Sequence, residues 1–157
     1  MPDSPLPYME RTRRYYEAQC FEKPYVWAEY KDVPFTSLTK PLADSTVTLM
    51  TTASLYDRAA TDPREVACGL MAQRPERLYA NDLSWDKQAT HLEDLNSYFP
   101  IDHLTGFVAD GRIGRVAQRF HCVPTGYSQR RTLEQDAPEI LRGCREDAVD
   151  VALLVPL

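Results

Sequence analysis

The sequence predicts an α/β domain of Rossmann-like type: a mainly parallel sheet with flanking helices, incomplete at the C-terminus and preceded by an extended N-terminal arm. Three observations predict it. A β-branched, apolar stretch at residues 45–52 and a continuous apolar run at 149–155 read as strands, the second as one covered on both faces in the manner of a parallel sheet. Helical periodicity falls between them. The resulting order of strand, helix, strand, helix, strand is the one that right-handed crossovers wind into a layered sheet. With 157 residues the chain suits one core, which we place at 43–157 with the arm at 1–42.

The arm carries proline at 2, 5, 7, 24, 34 and 41, which confines any helix there to about residues 8–19. Residues 54–76 are polar and interrupted by Pro63 and Pro75, so they read as an irregular excursion, with a short strand expected at 76–80. The polar stretch 82–99 lacks either periodicity and reads as an exposed or site-forming loop. After Pro100, the apolar residues Ile101, Leu104, Phe107 and Val108 predict a helix over 101–110 that Gly111 stops. Residues 115–123 alternate loosely and are closed by Pro124, Gly126 and Ser128, predicting a further strand. Asp136 followed by Glu139, with Pro138 in the first turn, reads as a capped helix start that buries Ile140, Leu141, Cys144 and Ala148.

Composition excludes several functions. Against 18 Lys and Arg stand 23 Asp and Glu, a net charge of −5, and the basic residues are scattered rather than gathered into the field that nucleic acid requires. Arg11, Arg13 and Arg14 lie among Tyr8, Tyr15, Tyr16, Phe21, Tyr25 and Trp27, a mixture that could stack on single-stranded bases. The near-helical spacing of Tyr8, Tyr15, Tyr16 and Gln19 or Cys20 favours an aromatic face for packing or partner contact instead, with the arginines in water. The longest apolar run, 151–155, is far short of a membrane span, and the N-terminus lacks the basic and apolar regions of a secretory signal, so a cytoplasmic chain without membrane contact is expected.

Cysteines at 20, 68, 122 and 144 form no C-x-x-C pair, which removes the usual sequence signal for a zinc site or a thioredoxin-like motif and leaves free thiols. Cys144 falls at a core position of its helix. Cys122 is the thiol singled out for test, although adjacent His121 would point to the opposite face of a strand. No phosphate-binding glycine loop, Walker lysine, serine-nucleophile elbow or zinc-protease motif occurs, so no metal, flavin or nicotinamide cofactor is expected.

The densest polar group is the run from His91 to Asn96, with His103 in the helix that follows. An imidazole titrates near neutrality, a carboxylate can orient it or accept an amine, and an amide can grip a carboxylate. Asp94 and Asn96 are equally good turn formers. A second group, 125–131, follows a strand at the edge where open α/β sheets build crevices, and there Arg130 or Arg131 could hold an anion bidentately.

The stretches 94–104, 110–114, 137–141 and 144–154 together resemble the selenoprotein B family of glycine, sarcosine, betaine and D-proline reductases over about residues 82–157. The N-terminal arm, with Trp27 and Pro34-Phe35, is similar to that of the selenium-free relatives. The resemblance implies a reductase subunit acting on a small amino-acid-like substrate through a cysteine or selenocysteine placed just after a strand like 149–155. Here the sequence stops at Leu157, and none of the four cysteines occupies the matching position, so the expectation is a truncated or partial reductase that is inactive alone. His91, Asp94 and Asn96 match the family pattern and are the expected substrate-lining residues, joined by Arg130. Expected partners are the substrate and either another reductase subunit or a second copy of the chain. The alternative reading is a non-catalytic, partner-binding α/β module.

Overall fold

The computed structural model describes residues 7–20, 26, 28–57, 65–80, 91–124 and 128–157. The chain divides into two compact units, Met1–Phe35 and Thr36–Leu157. In the first, helix α1 (Tyr8–Ala18) starts just after Pro7, whose missing N–H costs nothing at a helix entrance, and an i,i+4 pair joins Arg14 to Glu10. No residue of α1 is buried, and Tyr8 and Tyr15 stand exposed, so its aromatics do not form a packed face among the described residues. Phe21, Tyr25 and Trp27 lie outside the described residues.

The second unit is a five-stranded, mostly parallel sheet between helices, a Rossmann-like α/β arrangement. Strand β1 (Thr46–Thr51) is buried along its whole length and forms the centre. On one side it pairs in parallel with β3 (Arg115–Val116) and β4 (Arg119–Cys122), and on the other in parallel with β5 (Val151–Val155). The expected strand over 115–123 is therefore present but interrupted. Its register slips at Ala117 and Gln118, whose backbone groups still bond Val47 and Met71.

Strand β2 (Ala67–Leu70) pairs antiparallel with β4 in a region read from the sequence as irregular. The reason for that correction is tertiary. A Cβ at Gly69 would lie 2.4 Å from the Phe120 ring, so the residue that weakens strand propensity is the one that lets β2 cross that ring. At 76–80 the expected strand reduces to a single bridge between Tyr79 and Ser54.

Helix α2 (Ile101–Ala109) follows Pro100 and ends where Gly111 takes φ 68°, as its sequence requires. The second helical segment departs from expectation. It opens at α3 (Gln129–Arg131), capped by Ser128 Oγ accepting from the Arg131 N–H at 3.3 Å. It passes through a π-helical turn (Thr132–Asp136) and continues as α4 (Ala137–Glu146). Asp136 is thus not a cap but an interior residue, and its side chain makes no capping bond. Pro138 explains the error: it cannot donate to Glu134 and its ring crowds that carbonyl, so the helix widens by a π turn instead of starting anew.

Alternation along β1 separates two cores. Val47 and Leu49 join Phe120, Cys122, Tyr98, Phe99, Ile101 and Leu104 on the α2 face, while Met50 joins Ile140 and Cys144 on the α4 face. The threonines of this buried strand are satisfied: Thr48 donates to the Arg119 carbonyl at 2.9 Å and Thr46 accepts from Arg115 Nε at 2.9 Å. Strand β5 is not covered on both faces as expected. Among the described residues it pairs on one edge only, and Leu154 is 68% exposed.

Candidate functional site

The parallel strands lie in the spatial order second, first, third, with β1 between β4 and β5. In such sheets the connections leave the first strand toward opposite sides, and a crevice opens at the carboxyl ends where they diverge. Here that edge comprises the residues after β1, β4 and β5. Thr52 ties two of these ends together: its hydroxyl accepts from the Leu157 N–H at 2.8 Å and donates to the Leu157 carbonyl at 3.3 Å.

The predicted residues fall in two places. His91, Asp94 and Asn96 cluster before α2. His91 Nδ1 accepts from the Glu93 N–H at 3.3 Å, and Asp94 Oδ1 accepts from the Asn96 N–H at 3.1 Å, capping the short 3₁₀ turn Leu95–Ser97. Asn96 reaches forward, donating to Asp102 Oδ2 at 2.8 Å and accepting from the Asp102 N–H at 3.3 Å, while Arg74 pairs with the other Asp102 oxygen. The amide and carboxylate thus brace the entry to α2. Arg130 sits apart on α3, exposed and paired with Glu134 at 3.0 Å. His103 is exposed on α2. Thr125, Gly126 and Tyr127 lie outside the described residues.

The side of the sheet facing α4 carries groups that sequence reasoning left unused or misassigned. His121 and Cys144 are both buried, with Cys144 Sγ 4.0 Å from His121 Nε2. Gly143 makes room for the ring, since a Cβ there would stand 2.9 Å from His121 Cε1. As β alternation requires, His121 faces away from Cys122. Burial, reinforced by the neighbouring Arg119 cation, holds the imidazole below its ordinary pKa, and burial pushes the Cys144 thiol up. The pair therefore rests as neutral thiol and neutral imidazole. Cys122, singled out from sequence as the thiol to test, is pushed up to about 12 by burial with Cys68 nearby, which makes it unreactive.

Along the helix, the residues turned to the sheet are Asp136, Ile140, Gly143, Cys144 and Asp147, a stripe at helical spacing with an acid at each end. At the amino edge of the sheet, Asp147 receives Arg119 through Nη2 at 2.6 Å and Nε at 3.0 Å, as well as the Arg119 N–H at 3.1 Å. The Arg119 guanidinium holds the Asp147 carboxyl below the usual carboxylate range. Asp136, at the opposite end, is 7% exposed and makes no capping bond, and among the described residues no buried side-chain oxygen or nitrogen is left without a hydrogen-bond partner. The signal that could have found it was Pro138, which argues against a helix starting two residues earlier only once Ser128 is recognised as a better cap.

Among the described residues no three His, Cys, Asp or Glu side chains converge as metal ligands, and no helix is long and apolar enough to cross a membrane. No family model matches the chain, and no solved structure matches it significantly. It is similar to D-proline reductase subunit gamma of Acetoanaerobium sticklandii, with 31% identity over 128 residues, covering 76% of this chain and 52% of that subunit. The chain spans about half the length of the curated relative it matches.

Proposed function

From its relationship to a reductase subunit, we propose that this chain is a reductase component that holds a small amino-acid-like substrate and draws its redox cysteine or selenocysteine from residues outside this sequence. The similarity to D-proline reductase subunit gamma carries the reading. The thiols support its second half: Cys122 and Cys144 are buried and held protonated, and Cys20 and Cys68 are exposed. A reductive nucleophile works as the thiolate and needs a partly exposed, electropositive setting, which neither buried thiol has. The crevice at the carboxyl edge of β1, β4 and β5 is the substrate site on this reading. His91, Asp94 and Asn96 form one wall and Arg130 is an anion holder. The complete enzyme contains a further reductase subunit or a second copy of this chain.

A second reading, a non-catalytic module that binds a partner, draws on the exposed apolar middle of β5, Leu153 and Leu154. Binding and turnover separate the two. The purified chain should bind at least one of D-proline, glycine and betaine in ligand-observed NMR and should not consume any of them with dithiothreitol. Turnover by the chain alone overturns the external nucleophile, and failure to bind all three overturns the substrate-holding role in favour of the module. Iodoacetamide at pH 8 should label Cys20 and Cys68 in the folded chain and reach Cys122 and Cys144 only after denaturation. Fast labelling of Cys122 or Cys144 in the native state would contradict their assignment as packing thiols.

A further inference from the structure

Resting on the partner half of the reading above, we propose that the open edge of β5 is a self-association surface, where two copies of this chain join their sheets by antiparallel pairing of Val151–Val155 about a two-fold axis at Leu153. Among the described residues nothing pairs with this edge. The directions of the backbone groups carry the argument. On β1, the carbonyls of Ser45, Val47 and Thr51 accept from Arg115, Ala117 and Val123 on the side of β3 and β4. Thr46, Thr48 and Met50 therefore turn their backbone groups toward β5, and the register that sets Val47 beside Val151 commits Val151, Leu153 and Val155 to those bonds. What remains for the open edge is the N–H and C=O of Ala152 and Leu154. At the strand ends nothing is left to donate: the Asp150 N–H is taken by the Thr46 carbonyl at 2.9 Å, and Pro156 has no N–H.

Such an edge is complementary to itself. With the axis at Leu153, Ala152 of each copy exchanges both bonds with Leu154 of the other, so every outward donor and acceptor of these residues is used. An axis at Ala152 or at Leu154 would leave the carbonyl of the other residue unpaired. The side chains agree. Ala152 and Leu154 lie on the α4 face with Met50, and the pairing sets the small residue of one copy against the large one of the other, covering a Leu154 that is 68% exposed. On the α2 face Leu153, 38% exposed, meets its own counterpart across a non-hydrogen-bonded pair, where Cα atoms stand about 4.5 Å apart. Charge does not oppose the contact. The strand Val-Ala-Leu-Leu-Val carries none, and Asp150, already tied to Lys40 at 2.7 Å, falls opposite Pro156 rather than another acid. No lysine, inward charge or bulge blunts the strand against such pairing. An interface one strand wide is smaller than that of a standard stable complex, so dimers form at micromolar rather than nanomolar concentration.

Sedimentation velocity of the full chain, from micromolar to sub-millimolar concentration, tests this with wild type, Leu154→Lys and Ala152→Pro. Expected is a wild type that passes from monomer to dimer as concentration rises, and two variants that stay monomeric while keeping the wild-type circular dichroism. Leu154→Lys alters a solvated side chain, and Ala152→Pro removes an N–H that no bond to β1 uses. Register is read by oxidative cross-linking in a background of Cys20→Ser and Cys68→Ser: Leu153→Cys should form a covalent dimer and Leu154→Cys should not. Should either monomer variant lose the wild-type spectrum, the cross-link decides. Wild type that stays monomeric throughout overturns the proposal, as does a dimer that both variants leave unchanged, or one cross-linked by Leu154→Cys and not by Leu153→Cys. D-proline binding by monomeric Leu154→Lys, followed in ligand-observed NMR, reads the substrate role by itself, so failure of the dimer and failure of substrate holding are told apart.

Discussion

The two ends of one helix–sheet interface treat a buried carboxylate in opposite ways. At the amino edge, Asp147 and Arg119 satisfy each other, and Arg119 also reaches Glu146 at 2.9 Å, so β4 is fastened to the end of α4. At the carboxyl edge, Asp136 is 7% exposed and caps no helix end, and no buried side-chain oxygen among the described residues is left unsatisfied there. Between them lie Ile140, Cys144 and His121, an apolar and neutral stretch whose packing serves both ends alike. Burial alone therefore does not tell a clamped acid from an unclamped one. What distinguishes them is whether the fold clamps the acid with a cation, as it does at Asp147.

The contrast is broken most directly at the paired end. Replacing Arg119 with alanine leaves Asp147 buried and uncompensated, and removal of one partner of such a pair costs about 3–5 kcal/mol, toward the lower figure here because Arg119 is 23% exposed. Urea unfolding at pH 7 should show that loss for Arg119→Ala and none for Asp136→Asn. Equal losses at both positions would mean that Asp136 is as structural as Asp147.

A smaller effect, dependent on pH, sharpens the neutral middle. His121 is held below its ordinary pKa by burial, with Arg119 adding to it and Asp147 opposing, and Cys144 faces it as an uncharged thiol. Because the folded pKa is depressed, the unfolded chain binds the extra proton first as pH falls below the ordinary histidine value of about 6.5. The stability contributed by neutral His121 is present above that value and is lost as pH drops toward the folded pKa. Tm should therefore fall between pH 7 and pH 5 in wild type, and the fall should shrink in His121→Gln. An unchanged pH slope in that variant would place the titration elsewhere. Asp147 acts in a separate window, since its depressed pKa makes its contribution vanish only as pH falls below the ordinary aspartate range.

Much of the scaffold was legible because local chemistry and tertiary packing agree there. β-branched residues at 46–51 form β1, Pro100 and Gly111 bracket α2, and Pro7 precedes α1. Reading failed where a contact distant in sequence decides. β2 exists because Phe120 needs the space over Gly69, and nothing near residue 69 announces Phe120. The helix over 129–146 was cut at Asp136 because an acid, a proline and a glutamate imitate a capping box, whereas Pro138 is in fact absorbed by a π turn. An N-cap aspartate has its partner built in, and only the structure shows that Asp136 caps no helix end. His91, Asp94 and Asn96 were conspicuous as a polar group, but spacing could not reveal how far turn and helix-entry bonds already occupy Asp94 and Asn96.

The smallest predicted effect lies beside the paired end, at Ala148. The helix closes there with the Val149 N–H donating to the Cys144 carbonyl at 2.9 Å and the Ala148 N–H to the Arg145 carbonyl at 3.2 Å, which forces Ala148 to φ 51°. This is the left-handed position that helices usually give to glycine. An L-residue there is strained by roughly 1–2 kcal/mol, and part of that gain returns as the extra freedom of an unfolded glycine, so Ala148→Gly should stabilise by about 0.5–1 kcal/mol. Ala148 is exposed and buries no methyl that glycine would lose. A gain of that size in urea unfolding, retained in the Arg119→Ala background, would show that the turn is strained in its own right. A gain that vanishes once Arg119 is removed would instead show that the Arg119–Asp147 clamp imposes the strain, making the paired end the source of a cost that the unpaired end does not carry.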